Sequence, residues 1–244
     1  MSAPVVGLWD TEWSPAISYT WSGFPKYLPN DFLIEDPRLL CWGFKYLGDT
    51  ETEVVDERTG RRAMLQKLWD HLDNTDILIS FNGQSFDTPK VNSEFLKEGF
   101  DPPSPFKHLD LYRQIKSVAK FYSGKLDFMA ERIVDERKVD TGGFKLWKDV
   151  LANDEDAWQK FREYQAQDVD LLEKIFHEVK GWLKMPMPFT DDLDACHTCG
   201  GTNLVKRGFA RTNYSVYQRY RCSDCGKWMR STAREPVTNI RPAL

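Results

Sequence analysis

Two cysteine pairs, Cys196-x-x-Cys199 and Cys222-x-x-Cys225, constrain the end of this chain more tightly than any other pattern in it. Each pair has the spacing of a metal-binding knuckle, and together they offer four thiolates, the complement that tetrahedral Zn²⁺ takes in a structural site. Gly200 and Gly226 each follow the second cysteine of a pair and suit the tight turn that a knuckle makes. So short a segment cannot fold on its own apolar core, and one structural Zn²⁺ would supply much of its stability. The chain therefore divides into a body (1–183), a connecting segment rich in proline and acids (184–195) and a metal-stapled unit with its tail (196–244). Cys41 stands alone in an apolar run and reads as a buried core thiol, and the cysteine pattern suits metal binding better than a disulfide framework.

The body is long enough to bury a sizeable core, and 41% hydrophobic and 14% aromatic content argue against disorder. No stretch has the apolar length of a membrane span, and Met1 to Glu12 lacks the pattern of a signal peptide, so a soluble, intracellular, cytoplasmic protein without membrane partners is expected. The net charge of -4 conceals an asymmetry: residues 191–244 hold 9 Lys+Arg against 5 Asp+Glu, which leaves 24 against 32 for the rest. An acidic body with a basic tail points to the tail as the part that meets a polyanion.

Within the body, Val5 to Trp9 reads as a buried strand ending at Asp10-Thr11-Glu12, followed by a loop rich in proline, serine and aromatics to about Asp36. Leu39 to Leu47 and Thr52 to Asp56 read as antiparallel strands around Gly48-Asp49. A helix over Ala63 to Leu72, a strand over Asp76 to Phe81, a helix over Ser85 to Glu98 and a strand over Lys107 to Tyr112 follow. The chain is then mainly helical to Leu183, interrupted around Val139 to Phe144. This order predicts an α/β fold, a mixed sheet flanked by helices.

The last helix poses a problem. Its apolar stripe runs through Phe161, Tyr164, Leu172, Ile175, Phe176, Val179 and Trp182, and Asp168 falls in that stripe one turn after Tyr164. A carboxylate so placed is costly without a cation, a proton or donors. Asp10 and Glu12, two apart on a strand, point to one side and repel each other unless a cation lies between them. Asp87 falls near a helix start, where the macrodipole also favours an acid. Oxygen ligands such as these suit Mg²⁺ or Mn²⁺.

Taken together, Asp10-x-Glu12 on the first strand, Asn82-Gly83-x-x-Phe86-Asp87 after a central strand and Tyr164-x-x-x-Asp168 on a late helix resemble the DEDD superfamily of ribonuclease-H-like 3′-to-5′ exonucleases. The resemblance covers roughly Val5 to Leu183. The late motif is of the tyrosine subtype, since the position five before the last Asp is Glu163 rather than His. The resemblance implies a ribonuclease-H-like fold and a two-metal hydrolysis of phosphodiesters in single-stranded DNA or RNA 3′ ends, DNA before RNA. It implies that Asp10, Glu12 and Asp168 hold the ion that activates water. Asp10 would bridge to a second ion supported by Asp87, and Tyr164 would orient the water, while an ordinary core aromatic is the alternative for Tyr164. Asn82 and Phe86 would contact the terminal nucleotide. Asp110 is a further acid, with a structural role the stronger reading. A DNA polymerase or other replication protein is the implied partner, in DNA replication or repair. Two other readings remain open: a structure-selective endonuclease of the same fold, and a nucleic-acid-binding regulator with a silent nuclease fold.

The cysteine unit resembles a zinc ribbon. Lys206, Arg207, Arg211, Arg219, Arg221, Lys227 and Arg230 are interleaved there with Phe209, Tyr214, Tyr217, Tyr220 and Trp228. Charge for phosphates and rings for bases suit a single strand, and a solvated basic surface or a protein-docking role are the alternatives.

Overall fold

A computed structural model describes residues 3–138 and 141–235. Val139, Asp140 and the tail from 236 onward, where part of the expected interruption and the end of the ribbon unit fall, lie outside the described residues. In chain order the body comprises β1 (Val6–Trp13), β2 (Ile17–Ser18), β3 (Leu33–Glu35), β4 (Leu39–Tyr46), β5 (Glu53–Asp56), α1 (Arg61–Asp73), β6 (Ile77–Ser80) and α2 (Asp87–Lys97). It continues through β7 (Lys107–Asp110), α3 (Leu111–Val118), α4 (Leu126–Ile133), α5 (Phe144–Leu151) and α6 (Glu155–Val179). The ribbon unit adds β8 (Leu204–Arg211), β9 (Val216–Cys222) and β10 (Trp228–Arg230). No helix among the described residues is long and apolar enough to cross a membrane.

The central sheet has the order β5-β4-β1-β6-β7. β4 pairs antiparallel with both β1 and β5, while β6 runs parallel to β1 and β7. The expected mixed sheet with flanking helices is the observed architecture. Alternation along β1 sends Val6 and Leu8 into a core shared with α3, α4 and α6, and Trp9 and Trp13 into a second core beneath α1 and α2. A third cluster joins Leu40 and Cys41 to α5 and to Trp158 and Phe161 of α6. Cys41 is the buried thiol its apolar surroundings predict.

Several boundaries depart from the sequence reading, each for a local reason. β1 does not stop before Asp10: pairing with β4 carries it to Trp13, with Asp10 opposite Gly43 and Glu12 opposite Cys41. β7 ends at Asp110 rather than Tyr112, because the Asp110 carboxylate accepts the Arg113 backbone N–H at 3.3 Å and starts α3. The loop after β1 contains the small hairpin β2–β3, where Trp21 and Phe24 are almost fully exposed. The apolar stripe of α6 ends at Val179, and Trp182 lies beyond it in solvent.

Capping sets α6 in place. Asp154 accepts the Ala157 N–H at 2.9 Å, and Glu155 and Asp156 lie in the positive first turn. The helix then crosses β1 and β4 at Gly43, where a Cβ would fall 2.9 Å from Val169 Cγ2 and 3.2 Å from Gln165 Cγ. The missing side chain lets helix and sheet approach closely enough for Asp168 to reach Asp10.

Segment 184–195 has no helix or strand, yet it is pinned to the body. Lys184 N–H donates to Gln114 Oε1 at 3.1 Å, the Phe189 ring lies 5.7 Å from that of Phe176, and Phe189 N–H donates to the His197 carbonyl at 2.8 Å. Lys227 Nζ donates to the Leu183 carbonyl, and Gly181 lets the Cys225 backbone pass against it. The knuckles thus sit at the C-terminal end of α6, in a groove shared by Val5, Val6, Leu47 and Cys199. Asp10 lies four residues further along β1 from Val6, about 13 Å away.

Gly43→Ala tests the seating of α6. The added methyl should cost about 1–3 kcal/mol in urea unfolding, by forcing Val169 and Gln165 aside. A neutral effect would show that α6 is free to ride further from the sheet.

Candidate metal centre and nucleic-acid site

β6 ends at Ser80, so beyond Leu8 β1 has a partner only on its β4 side. The open edge left there lies at the carboxyl end of the parallel strands, where ligand sites of α/β sheets form. Asp10 and Glu12 follow Val6 and Leu8 in the alternation of β1 and so face α6, which supplies Tyr164 and Asp168 one turn apart. One carboxylate oxygen from each of Asp10, Glu12 and Asp168 lies within 4.8 Å of the others. The cavity they line measures about 250 Å³ and also takes in Asn82, Phe86, Asp87 and Lys138.

Burial and mutual repulsion dominate the electrostatics. The Asp10 carboxyl is held well above its usual range by burial, then by the charges of Asp168 and Asp87. Burial, then Asp10, raises Glu12 in the same way. Burial raises Asp168 too, opposed by Lys138, whose Nζ lies 2.5 Å from Asp168 Oδ2 and 3.1 Å from the Tyr164 hydroxyl. The second oxygen, Asp168 Oδ1, is buried without a hydrogen-bond partner among the described residues. Three converging acids, one with an orphaned oxygen, fit a hard divalent cation, and Asp10, Glu12 and Asp168 would hold it.

Asp87 stands apart from this trio. It is the first residue of α2, as its helix-start reading requires, and it faces the other side of β1, where the Thr11 hydroxyl donates to its Oδ1. Trp13 Nε1 donates in turn to Thr11 Oγ1 at 2.8 Å, fixing that hydroxyl. Burial pushes the Asp87 carboxyl up to about 6. It borders the cavity without joining the three-oxygen group.

Tyr164 is buried beside Trp147, with ring centroids 6.2 Å apart, and its hydroxyl faces Asp168. It is therefore both a core aromatic and a member of the site. Burial, then the Asp168 charge, raises its pKa, so the phenol stays neutral and can donate or accept but not serve as a base at neutral pH. Phe86 is half exposed at the cavity, with Lys90 Nζ 4.2 Å from its ring centroid, and is not part of the core. Asn82 adopts φ 64° in the turn after β6, and its N–H donates to Asp110 Oδ1 at 2.9 Å. Asp110 thus holds a turn and a helix start, the structural role preferred for it.

Three contributors lie outside the motifs. Gln165, fully buried, donates from Nε2 to Asp10 Oδ2 at 3.2 Å and orients it. Its position three residues before Asp168, on the same helical face, carried the signal. Thr11 was hidden between two acids that point the other way. Lys138 belongs to an irregular segment 30 residues from Asp168 in sequence, and no local pattern marks it.

The four cysteine sulfurs form a second group within 4.8 Å of one another. Cys196 Sγ to Cys225 Sγ and Cys199 Sγ to Cys222 Sγ are both 3.7 Å. A tetrahedron with Zn–S bonds of about 2.3 Å has edges of about 3.8 Å, so the cluster fits a zinc ribbon. Gly200 (φ 72°) and Gly226 (φ 77°) take the left-handed turns expected of the knuckles. His197 is outside the sulfur group.

Two outcomes follow for protein that retains zinc but has no other divalent cation. Folded Asp87 keeps its proton to about pH 6 while the unfolded chain releases it near 3.8, so the folded state binds more protons in that window and stability falls as pH rises across it. Asp87→Asn should remove about 3 kcal/mol of that decline in urea unfolding between pH 4 and 7.5; parallel profiles would refute the assignment. Lys138→Met should destabilise the same form by about 1–3 kcal/mol by leaving Asp168 unpaired. Mn²⁺ should then raise the variant's Tm more than the wild type's, and an equal rise would mean that Lys138 does not compete for the site.

A family model described as RNase_H superfamily matches residues 40–180, more than half of the chain, a span that holds Asp87, Lys138, Tyr164 and Asp168 and begins after Asp10 and Glu12. No curated protein matches the chain. Among solved structures, the family B DNA polymerase from the hyperthermophilic archaeon Pyrobaculum calidifontis is similar with a TM-score of 0.50 and 18% identity over 72% of this chain. The similarity covers 24% of that polymerase, so this chain spans about a quarter of its length, and at such identity the likeness concerns the fold. Sheet order, helix placement and the family match agree that the chain belongs to the RNase_H superfamily.

Proposed function

We propose that this RNase H-like nuclease fold acts as a divalent-metal-dependent 3′-to-5′ exonuclease on single-stranded nucleic acid, with DNA preferred to RNA. The observation that carries the reading is the meeting of Asp10, Glu12 and Asp168 at the open edge of the sheet, with the Tyr164 hydroxyl beside them. A binding module has no need of three acids converging on one cavity, where their charges oppose one another's ionisation. Bound Mg²⁺ or Mn²⁺ would neutralise phosphate charge and supply a nucleophile at neutral pH. Asp10, Glu12 and Asp168 would hold that ion, Gln165 keeps the Asp10 carboxylate oriented toward the cavity, and neutral Tyr164 would orient the attacking water through its hydroxyl. Asp87, fixed by Thr11, borders the same cavity and supports the leaving-group side. Phe86, half exposed at the rim, offers a face on which a terminal base can stack, and Asn82 lies beside it. The fold's occurrence within a DNA polymerase supports DNA as substrate and a setting in replication or repair, with a polymerase as partner.

The test offers purified protein 5′-labelled single-stranded DNA, the matching RNA and a nicked duplex, with Mg²⁺, Mn²⁺ or EDTA. Stepwise shortening from the 3′ end is expected. Asp168→Asn should lower the rate by at least about 10³-fold, or about 4 kcal/mol of transition-state stabilisation, while the fold stays intact. Tyr164→Phe should lower it by about 10²-fold. Internal cuts would instead make the protein an endonuclease, and binding without metal-dependent cleavage would make it a silent nuclease fold.

A further inference from the structure

The ribbon sheet has the order β10-β9-β8, and residues directly opposite one another in antiparallel strands share a face. Arg219 lies opposite Arg230, and Arg221 lies opposite both Trp228 and Val205. Tyr217, two residues before Arg219, is on that face as well. Cations and rings there are already stacked: Arg219 Cζ is 5.0 Å from the Trp228 ring centroid, and Arg230 Cζ is 3.9 Å from that of Tyr217. Trp228 keeps about half of its surface exposed, and the three arginines are exposed too.

Arg219 donates from Nε to the Arg207 carbonyl at 3.0 Å, but among the described residues no acid neutralises the charge on this face. Among the described residues, Arg38, Arg58, Arg61, Arg113, Arg137 and Arg162 of the body all pair with carboxylates. No described carboxylate forms a salt bridge with Arg219, Arg221 or Arg230 of the ribbon. Three cations held next to the exposed Trp228 and the half-buried Tyr217, without acids to neutralise them, match a chain of phosphates bearing accessible bases. A duplex hides its base faces and would leave Trp228 and Tyr217 unused.

We propose that this face of the ribbon is a single-strand-binding site separate from the carboxylate cavity, with bases stacking on Trp228 and Tyr217 and phosphates on Arg219, Arg221 and Arg230. The site deepens the reading of the chain as acting on nucleic acid and rests on it. Because the knuckles lie at the far end of β1, this face holds the strand away from its 3′ terminus.

The experiment measures fluorescence anisotropy of labelled oligo-dT and oligo-rU with full-length, zinc-loaded protein and no other divalent cation, across a salt series. Trp228→Ala should weaken binding about tenfold with little change in salt slope. Arg219→Gln with Arg230→Gln should lower the slope of log affinity against log salt by about 1.4, at about 0.7 per phosphate contact on a single strand. Both variants lie at exposed positions, and zinc content confirms the ribbon in each. Unchanged affinity in both, or a blunt duplex bound as tightly and weakened equally by Trp228→Ala, would overturn the proposal. Since binding is read without cleavage, loss of nuclease activity with this binding intact would sink the exonuclease reading and leave this site standing.

Discussion

The approach of α6 to the sheet over Gly43 is the contact on which the candidate site depends. Apolar packing by Phe161, Val169, Leu172, Ile175 and Phe176 drives that helix down, and the absence of a side chain at Gly43 lets it come close. Three acids are carried together as a by-product of burial that they themselves oppose. Each like-charge neighbour and each lost water shell raises the cost of ionisation, as the upward shifts of Asp10, Glu12 and Asp168 record. Lys138 offsets part of it. The core thus holds its polar centre under electrostatic stress that a bound cation would relieve.

How much of this the sequence disclosed depends on how local each signal was. The alternation of β1 and the stripe of α6 placed Asp10, Glu12, Tyr164 and Asp168 on facing surfaces, because periods of 2 and 3.6 are written in a few consecutive residues. The sheet, its antiparallel edge and the four-cysteine cluster were legible for the same reason. Asp87 was read as a fourth ligand from order along the chain. Its side chain borders the cavity and accepts from Thr11, which lies on the opposite face of β1. Strand ends were read short at β1 and long at β7, since β4 extends the first by pairing and Asp110 cuts the second by capping. Lys138 was invisible because its partner lies across the fold, in a segment without period.

The ribbon shows a different economy. The ribbon unit buries little besides Cys196, Thr198, Val216 and Cys222, so a metal on its four sulfurs, rather than apolar area, would hold its form. The same shortage of core leaves its side chains outside, where Tyr217, Arg219, Arg221, Trp228 and Arg230 share one face. A stapled unit can expose rings that a self-supporting domain would need for its interior.

The seam between Gly181, Leu183 and the second knuckle joins the ribbon to the body, so the two proposed footholds would stand at one separation. Fixed separation is a measure of length. An oligonucleotide too short to run from the carboxylate cavity to the open face of the ribbon can hold only one of them. A longer one can hold both, and its second contact then forms at the high effective concentration of a tethered end. A strand being trimmed would lose that advantage abruptly once it fell below the span, so the docking of the ribbon on α6 would set where digestion slows.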